Sequence, residues 1–245
     1  MKRLGSCLVT LLFLLAWVRS ADAGWVVGGY LGSVATRHSY LTVAQPALRT
    51  DVRFDPVDYK GRSFNLPLYY GYRAAYFPGS SGWFGIEAEV IHMKAYAQTG
   101  EAASASGVVG GVPVAGSMLI SSVVQRFSLS HGQNMLLVNA VVRRAFGERR
   151  GYRTARLVAL ARVGVGPTLP HAESTIGGVA DEGYELGALV FQAAGGIELM
   201  VWKRLHALAE YKFTRCRQSV SVAAGGTAET LLTSHHFVFG AAVHF

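Results

Sequence analysis

Cysteine is almost absent from this sequence, since Cys7 and Cys216 are the two examples among 245 residues. Cys7 lies in an N-terminal apolar run that we expect to be removed, and it lacks the small-residue spacing of a lipoprotein cleavage site. Cys216 then has no partner, which excludes a fold held together by internal disulfides. We expect its thiol to be an inert group on a strand.

Long apolar segments are equally scarce. Beyond the N-terminus each apolar stretch is short and interrupted by Gly, Asn or Gln, so no transmembrane helix is predicted. The exception, Leu8–Val18, is itself too short to cross a bilayer. Two basic residues precede it, and the A-x-A pattern Ala21-Asp22-Ala23 follows it. We therefore expect residues 1–23 to be a cleaved signal peptide and residues 24–245 to form one domain.

The familiar enzyme motifs are missing as well. The sequence has no G-x-S-x-G, no H-E-x-x-H, no P-loop and no dinucleotide fingerprint, which excludes the hydrolase and nucleotide-binding classes that carry them. Acidic residues are also outnumbered, and the formal net charge is +8, or +6 without the signal peptide. In a soluble protein this charge would suggest nucleic acid, but on an exported barrel the anionic partner at hand would be lipopolysaccharide, so we expect no nucleic acid.

The last ten residues, HFVFGAAVHF, alternate in the manner of a strand. Every second residue from Phe237 to Phe245 shares one face, and every second residue from His236 to His244 shares the other. A chain that ends mid-strand on an aromatic resembles the closing strand of a bacterial outer-membrane barrel. In such barrels the terminal Phe, here Phe245, helps the barrel assembly machinery to recognise its client.

Eight segments alternate well enough to be tilted transmembrane strands, which need about ten residues each. They are Trp25–Ala35, Leu66–Phe77, Trp83–Met93, Gln133–Phe146, Thr154–Pro167, Tyr184–Val201, His206–Val222 and Leu231–Phe245. Tight turns are predicted at Pro78–Gly82, Gly147–Tyr152 and Trp202–Leu205, and long loops at Thr36–Asn65, Ala95–Ser130 and His171–Gly183. The sequence thus predicts an all-β fold: an eight-stranded antiparallel transmembrane up-and-down β-barrel with long extracellular loops. The charge-free stretch Ala102–Ser122 fits a mobile loop, a strand extension or a lipid-facing surface.

A barrel of eight strands is filled by side chains, so its inward face should carry polar groups that neutralise one another. With the apolar face outward, the predicted inward residues are Arg73, Glu87, Glu89, Asn139, Arg156, Arg162, Gln192, Glu198, Glu210, Lys212 and His236. Four acids then face four bases, which we interpret as a structural network. The predicted outward residues include Tyr70, Tyr72, Tyr76, Phe84, Ile86, Leu189, Phe191, Leu199, Tyr211 and Phe213. We expect Trp83, Trp202 and Phe245 in a periplasmic aromatic girdle.

Histidines and acids recur near the predicted extracellular rim. His92, Lys94 and Tyr96 share one face of an extended segment, on the parity of the lipid-facing residues. His171 and Glu173 are also two residues apart, which is the spacing of a two-point metal chelate. His131 precedes the fourth predicted strand, and His235 and His236 lie on opposite faces of the eighth. Each histidine taken alone is more often a hydrogen-bonding rim residue than a ligand.

The order of these motifs resembles the lipid A oxidase-like family of small, porin-like outer-membrane barrels. The resemblance rests on YKGRSFNLPLYYGYRAAYF (Tyr59–Phe77), GIEAEVIHMKAYA (Gly85–Ala97), FSLSHGQNMLLVNAVVRR (Phe127–Arg144), GVGPTLPHAEST (Gly164–Thr175) and LAEYKFTR (Leu208–Arg215). Characterised members are oxygen-dependent enzymes that convert the proximal glucosamine of lipid A to 2-aminogluconate, with a divalent metal implicated. By position the resemblance singles out Arg62, His92, Lys94, Tyr96, His131, Asn134, His171, Glu173, Glu185 and Glu210.

Residue chemistry then suggests roles for these groups. The residues expected to hold the phosphates of lipid A are Lys60, Arg62 and Lys94. The residues expected to bind a divalent redox metal are His92, His171 and Glu173. The catalytic candidates are His92, Tyr96 and Glu185, with Tyr96 or Glu185 removing the proton of the anomeric hydroxyl.

Two other functions remain open from the sequence. A non-enzymatic barrel would use the same basic rim to bridge lipopolysaccharide phosphates, for envelope stability or ligand binding. A diffusion porin is disfavoured, because eight strands enclose no aqueous channel.

Overall fold

The computed structural model describes residues 24–79, 82–147 and 155–245. Its strands are β1 (Gly24–Thr36), β2 (Ser39–Gln45), β3 (Thr50–Val57), β4 (Tyr59–Lys60), β5 (Tyr70–Phe77), β6 (Phe84–Ala97), β7 (Ala102–Val109), β8 (Val112–Leu119), β9 (Val124–Phe146), β10 (Leu157–Ile176), β11 (Val179–Tyr184), β12 (Leu189–Trp202), β13 (Leu205–Val222) and β14 (Gly226–His244). Two single turns of 3-10 helix complete the described part. No helix within it is long and apolar enough to span a membrane.

Eight of these strands close into a ring, in the order β1-β5-β6-β9-β10-β12-β13-β14, and β14 pairs back with β1. All of these pairings are antiparallel, as the sequence predicted. A row of paired residues that leaves β14 at Val243 returns to it at Thr233, ten residues away. This stagger tilts the strands, and an eight-stranded ring has an interior just wide enough for side chains.

Side chains alternate between the two faces of the ring strands, as the pleat requires. In β13 buried and exposed residues alternate along nearly the whole strand. The outward residues are large and apolar: Tyr72 is 63% exposed, Ile86 58% and Phe191 62%. On an outer-membrane barrel such a surface faces lipid, so the predicted outward face is confirmed. Trp202, at the periplasmic end of β12, is 65% exposed.

Some predicted features lie outside the described residues. The signal peptide over 1–23 is one of them. The turns predicted at Pro78–Gly82 and Gly147–Tyr152 fall partly or largely in the gaps at 80–81 and 148–154.

The segments predicted as long extracellular loops are largely strands, so that part of the prediction was wrong. β2–β3 and β7–β8 are hairpins that pair through β3 and β7, and β2 joins the outer end of β14 at Thr227–Glu229. β4 pairs with β6, and β11 pairs with β10. Strand pairing satisfies the backbone groups of these segments. The stretch Ala102–Ser122 is therefore a strand extension. The sequence left this open, because its small residues alternate only weakly between polar and apolar.

Glu89 lies at the centre of the polar network that fills the barrel. Its carboxylate accepts hydrogen bonds from Lys212 at 2.6 Å, the Tyr30 hydroxyl at 2.7 Å, Gln192 at 2.7 Å and Asn139 at 3.0 Å. All five side chains are buried. A buried carboxylate with this many donors is compensated, whereas an unpaired one would be strongly destabilising.

Two buried arginines extend the network across the barrel. Arg73 contacts Glu210 at 3.0 Å and Glu198 at 2.9 Å, and Arg162 contacts Glu210 at 2.9 Å and Glu87 at 3.5 Å. Arg73, on β5, thereby reaches Glu198 on the opposite strand β12, and Arg162, on β10, bridges β13 and β6, which lie two strands away on either side. The predicted inward network is confirmed for these residues.

Arg156 does not belong to this network, contrary to the prediction. It precedes β10, which begins at Leu157, and it is exposed because the strand alternation does not yet apply to it. At the periplasmic end of the barrel His244 Nε2 lies 2.8 Å from Glu198, and Arg143 is a further buried cation. His244 and Arg143 therefore contribute to the charge balance of the interior, and the sequence had predicted neither of them there.

We predict that Glu89→Leu destabilises the barrel by about 3–5 kcal/mol, because it leaves Lys212 and its neighbours without a buried acceptor. Urea unfolding of the protein refolded into lipid vesicles, followed by tryptophan fluorescence, measures this change. Ala88→Leu is the matched control, since Ala88 is the next residue and faces outward. Equal stability losses in the two variants would contradict a central role for Glu89.

Candidate functional site

The candidate site lies on the outward face of β6, β9 and β10, at their extracellular ends. Two rows of paired residues cross these strands. The upper row is Tyr96–Ser128–Glu173, and the lower row is His92–Asn134–Leu169. His92, Lys94 and Tyr96 thus share the outward face of β6, as the sequence predicted.

A bulge between the two rows brings the histidines together. Three residues of β9, Ser130 to Gly132, lie opposite the single residue His171 of β10. Gly132 has φ +121°, and a Cβ there would stand 2.5 Å from Nδ1 of His92. A residue without a side chain is therefore needed at this position. The bulge re-aims His131 toward β10, which no alternating pattern could have predicted.

His131, His171 and Glu173 form one cluster, with a ligand atom of each within 4.8 Å of the others. Oε1 of Glu173 lies 2.8 Å from Nδ1 of His131 and 3.9 Å from Nδ1 of His171. The two imidazole rings meet edge to face at 4.7 Å, and the Tyr184 ring packs on His171 at 4.4 Å. Nδ1 of His171 is buried and has no hydrogen-bond partner. The predicted pair His171 and Glu173 therefore converges, with His131 as its third member.

Glu173 is held as a carboxylate by its neighbours. Burial alone would raise its pKa, but a hydrogen bond from Ser130 and the charges of Arg126 and His131 together place the pKa below the ordinary value. Arg126 contacts Oε2, which leaves Oε1 facing both imidazoles. An ionised carboxylate beside two imidazoles is a ligand set for a divalent transition metal.

His92 stands next to this cluster and not in it. Its Nδ1 lies 2.8 Å from Oδ1 of Asn134, and its ring stacks on Tyr70 at 4.8 Å with an interplanar angle of 9°. Its Nε2 is buried without a partner. In this structure His131 occupies the place in the cluster that the sequence reading gave to His92.

The three predicted phosphate-binding cations gather around Tyr96. Lys60 is the strand partner of Tyr96, and the guanidinium of Arg62 lies 4.3 Å from the centre of the Tyr96 ring. Lys94 is buried and donates to the backbone oxygen of Asn65 at 2.7 Å. Burial, and then the charge of Arg62, lower the pKa of Lys94. The structure thus brings these residues together, with Lys94 partly engaged by the chain itself.

An apolar loop beside the cations was missed by the sequence reading. Phe64 is 74% exposed and Leu66 86% exposed, and Leu68 also projects outward. The bond from Lys94 to Asn65 holds this loop against the outer wall. The sequence SFNLPLY was read partly as a strand, and its exposed apolar side chains became evident once the barrel was placed. Exposed apolar groups of this size mark a surface that meets lipid or a ligand.

Glu185 is engaged elsewhere. Its backbone follows Tyr184 close to the cluster, but its carboxylate accepts bonds from Ser221 on β13, at 2.8 Å from the amide and 2.9 Å from the hydroxyl. Glu210, singled out by the resemblance, belongs to the buried network inside the barrel. Neither carboxylate contacts the cluster in this structure.

The geometry of the cluster favours metal binding over nucleophilic catalysis. A serine hydrolase relay needs the acid on one imidazole nitrogen and the hydroxyl on the other. Here Ser130 Oγ and Glu173 Oε1 both approach Nδ1 of His131, at 3.3 and 2.8 Å. The unpartnered Nδ1 of His171, with His131 and Glu173 converging beside it, instead suits a cation shared by the three residues.

Comparisons with known proteins concern the fold. No protein-family model and no curated protein matches the sequence. OprG, an outer-membrane protein from Pseudomonas aeruginosa, has a similar structure with TM-score 0.53 and 9% identity, covering 91% of this chain and 96% of that one. The chain has the fold of a small outer-membrane β-barrel protein. A closed ring with an apolar outward band is the arrangement by which such barrels cross the outer membrane.

Two further solved structures are similar with lower TM-scores. AlkL in lipid bilayers gives TM-score 0.45 and 14% identity, covering 93% of this chain and 94% of that one. Neisserial surface protein A gives 0.37 and 8%, covering 91% and 99%. At such identities the likeness says nothing about substrate or chemistry.

We predict that the refolded protein binds one divalent transition-metal ion through the cluster. Isothermal titration with Co²⁺ should give a stoichiometry of one, and His131→Ala or Glu173→Gln should weaken binding about tenfold or more, since each removes a ligand. His38→Ala is the control, because His38 is an exposed histidine outside the cluster. Wild-type affinity in both cluster variants would contradict the site.

Proposed function

We propose that this barrel is an outer-membrane enzyme that oxidises the proximal glucosamine of lipid A to 2-aminogluconate. The observation that carries the proposal is the position of the His131–His171–Glu173 cluster: it lies on the outward wall, at the extracellular ends of lipid-facing strands. A site there meets the outer leaflet from the side. The filled interior leaves no comparable access to a membrane lipid.

Substrate recognition would divide between charge and apolar contact. Arg62 and Lys60 would bind phosphate oxygens, Arg62 through a bidentate contact and Lys60 as a point charge. Lys94 would add a third positive charge, while its hydrogen bond to Asn65 holds the apolar loop in place. Phe64 and Leu66 would lie among the acyl chains and position the sugar over the cluster.

The chemistry needs an acceptor for two electrons, which is dioxygen. Oxidation at the anomeric carbon breaks its C–H bond and the O–H bond of its hydroxyl, and gives a lactone and hydrogen peroxide. Water then opens the lactone to the aminogluconate. His131, His171 and Glu173 would hold the divalent ion, which supplies the redox contact with oxygen when bound. Tyr96, in the row of Glu173, would take the hydroxyl proton, since Glu185 is bonded to Ser221.

A second function is favoured by a different observation. Arg126 and Ser130 already satisfy Glu173 without any ion. A non-enzymatic barrel would use this arrangement to brace the extracellular strands, and its basic residues would bridge lipopolysaccharide phosphates. That function requires neither bound metal nor any change in lipid A.

Mass spectrometry of lipid A separates these functions. When the protein is incubated with lipid A that carries a free anomeric hydroxyl, with oxygen and metal, we expect a product heavier by one oxygen atom. His171→Ala should abolish the product, because it removes a ligand with a free ring nitrogen, and His38→Ala should retain it. Unchanged lipid A with metal-loaded wild-type protein, or full activity of His171→Ala, would overturn the oxidase function and favour the bracing one.

The apolar loop provides a readout that does not depend on activity. A tryptophan introduced as Leu66→Trp should be quenched by lipids brominated on their acyl chains, because its side chain would lie in the outer leaflet. Leu48→Trp is the matched control, since Leu48 is exposed between β2 and β3 in the extracellular sheet. Both variants should be made in a background in which the three tryptophans outside the expected signal peptide, Trp25, Trp83 and Trp202, are replaced by phenylalanine. Equal quenching of the two would contradict membrane contact by the loop.

A further inference from the structure

The wall opposite the candidate site carries a second group of cations. In the ring of eight strands β13 and β14 lie across the barrel from β9, the middle strand of the candidate site. Arg215 and Arg217 are successive outward residues of β13, and Arg37 follows the end of β1 beside β14. Thr233 stands between them, paired with Arg215 and bonded through its backbone oxygen to the amide of Arg37.

The three arginines differ in how far their charge is satisfied. Arg217 lies 3.2 Å from Glu229 and 3.1 Å from the hydroxyl of Tyr40. Arg37 donates to Nε2 of His235 at 3.0 Å and has no acidic partner among the described residues. Arg215 is exposed and has no ion pair within the described part of the chain. Two of the three guanidinium groups are therefore free to bind an external anion.

His235 holds one of these arginines in place, and its own ring is held by two aromatic residues. Its Nδ1 contacts the hydroxyl of Tyr211 at 2.5 Å, and the ring of Phe213 meets it edge to face at 5.6 Å. The bond from Arg37 to Nε2 of His235 thus fixes the guanidinium beside Thr233. A positioned arginine loses less side-chain entropy on binding than a freely rotating one.

The surface stands directly above lipid-facing residues. On β14, Phe239 and Phe237 are about 60% exposed. His235 and Thr233 follow on the same face, nearer the extracellular end of the strand. The row through Thr233 on β14 also contains Arg215, Phe191, Val165 and Val138. Because the strands are tilted, this row starts near the periplasmic end of β14, at Val243, and returns to β14 ten residues nearer the extracellular end, at Thr233. The arginines therefore lie at the upper edge of the apolar band, at the level of the lipid headgroups.

We propose that Arg37, Arg215 and Thr233 form a second lipid-binding surface, which holds a phosphate of an outer-leaflet lipopolysaccharide molecule. Guanidinium groups suit phosphate oxygens, and the Thr233 hydroxyl offers a further donor. The occupant is a membrane lipid because the surface looks sideways over the apolar band. The surface rests on the membrane location of the barrel and is independent of the oxidase function, so this lipid is an anchor and not a substrate.

Native mass spectrometry of the protein released from detergent tests this surface. The probe is lipid A, and every protein carries Lys60→Gln/Arg62→Gln so that the candidate substrate site does not contribute. In this background the double variant Arg37→Gln/Arg215→Gln should retain bound lipid A about tenfold less than the protein with native Arg37 and Arg215 at low salt. Lipid A without phosphates should bind equally to both proteins. Arg49→Gln/Arg204→Gln is the matched control, because Arg49 follows β2 in the extracellular sheet and Arg204 lies in the turn before β13. Heat-modifiable migration on gels verifies that every variant is folded.

Three results would overturn the proposal. They are equal retention of lipid A by the double variant and the protein with native Arg37 and Arg215, an equal loss in the control variant, and a loss that persists with dephosphorylated lipid A. The variant Arg37→Lys/Arg215→Lys should keep part of the retention, since it preserves charge without the planar fork. His131→Ala should keep all of it, which separates this surface from the candidate metal site.

Discussion

Closure of the eight-stranded ring is the constraint on which the rest of this structure depends. Within a bilayer no water satisfies a free strand edge, so β14 must pair with β1. Closure with this stagger leaves an interior filled by Glu89, Lys212 and the two buried arginines. The proposed chemistry on a lipid would therefore take place on the outer wall. The His131–His171–Glu173 cluster lies there, and so do the arginines of the opposite wall.

Much of this fold can be predicted from the sequence, because successive side chains of the ring strands alternate strictly between the lipid-facing and the inward face. The alternation around Glu87 and Glu89, and around Glu210 and Lys212, sufficed to place them inside. Arg156 was misplaced because alternation cannot say where a strand begins. β7 and β8 were missed because their small residues differ little in polarity, and both faces of β8 are largely exposed. β3 was missed although it alternates, with Val52 and Phe54 buried.

The candidate site was predictable in part for the same reason. The pair His171 and Glu173 lies two apart on one strand, so its common face follows from the pleat. The contribution of His131 depends on a bulge that places three residues of β9 against one of β10. This bulge requires a glycine with a positive φ at position 132. Most glycines in a sequence do not mark a bulge, so Gly132 could not be recognised from the sequence alone. The position of the apolar loop over Lys94 likewise depends on long-range hydrogen bonds, from Lys94 to Asn65 and from the Val34 amide to Ser63.

The proposed function depends on a metal ion bound on the outer wall, between the two histidines and the glutamate. Anomalous diffraction from crystals of the protein soaked with Co²⁺ tests it most directly. We expect one strong anomalous peak within bonding distance of His131, His171 and Glu173, with the Arg126 side chain still on the other oxygen of Glu173. A peak at His92 and Asn134 instead, or no peak on this wall, would contradict it.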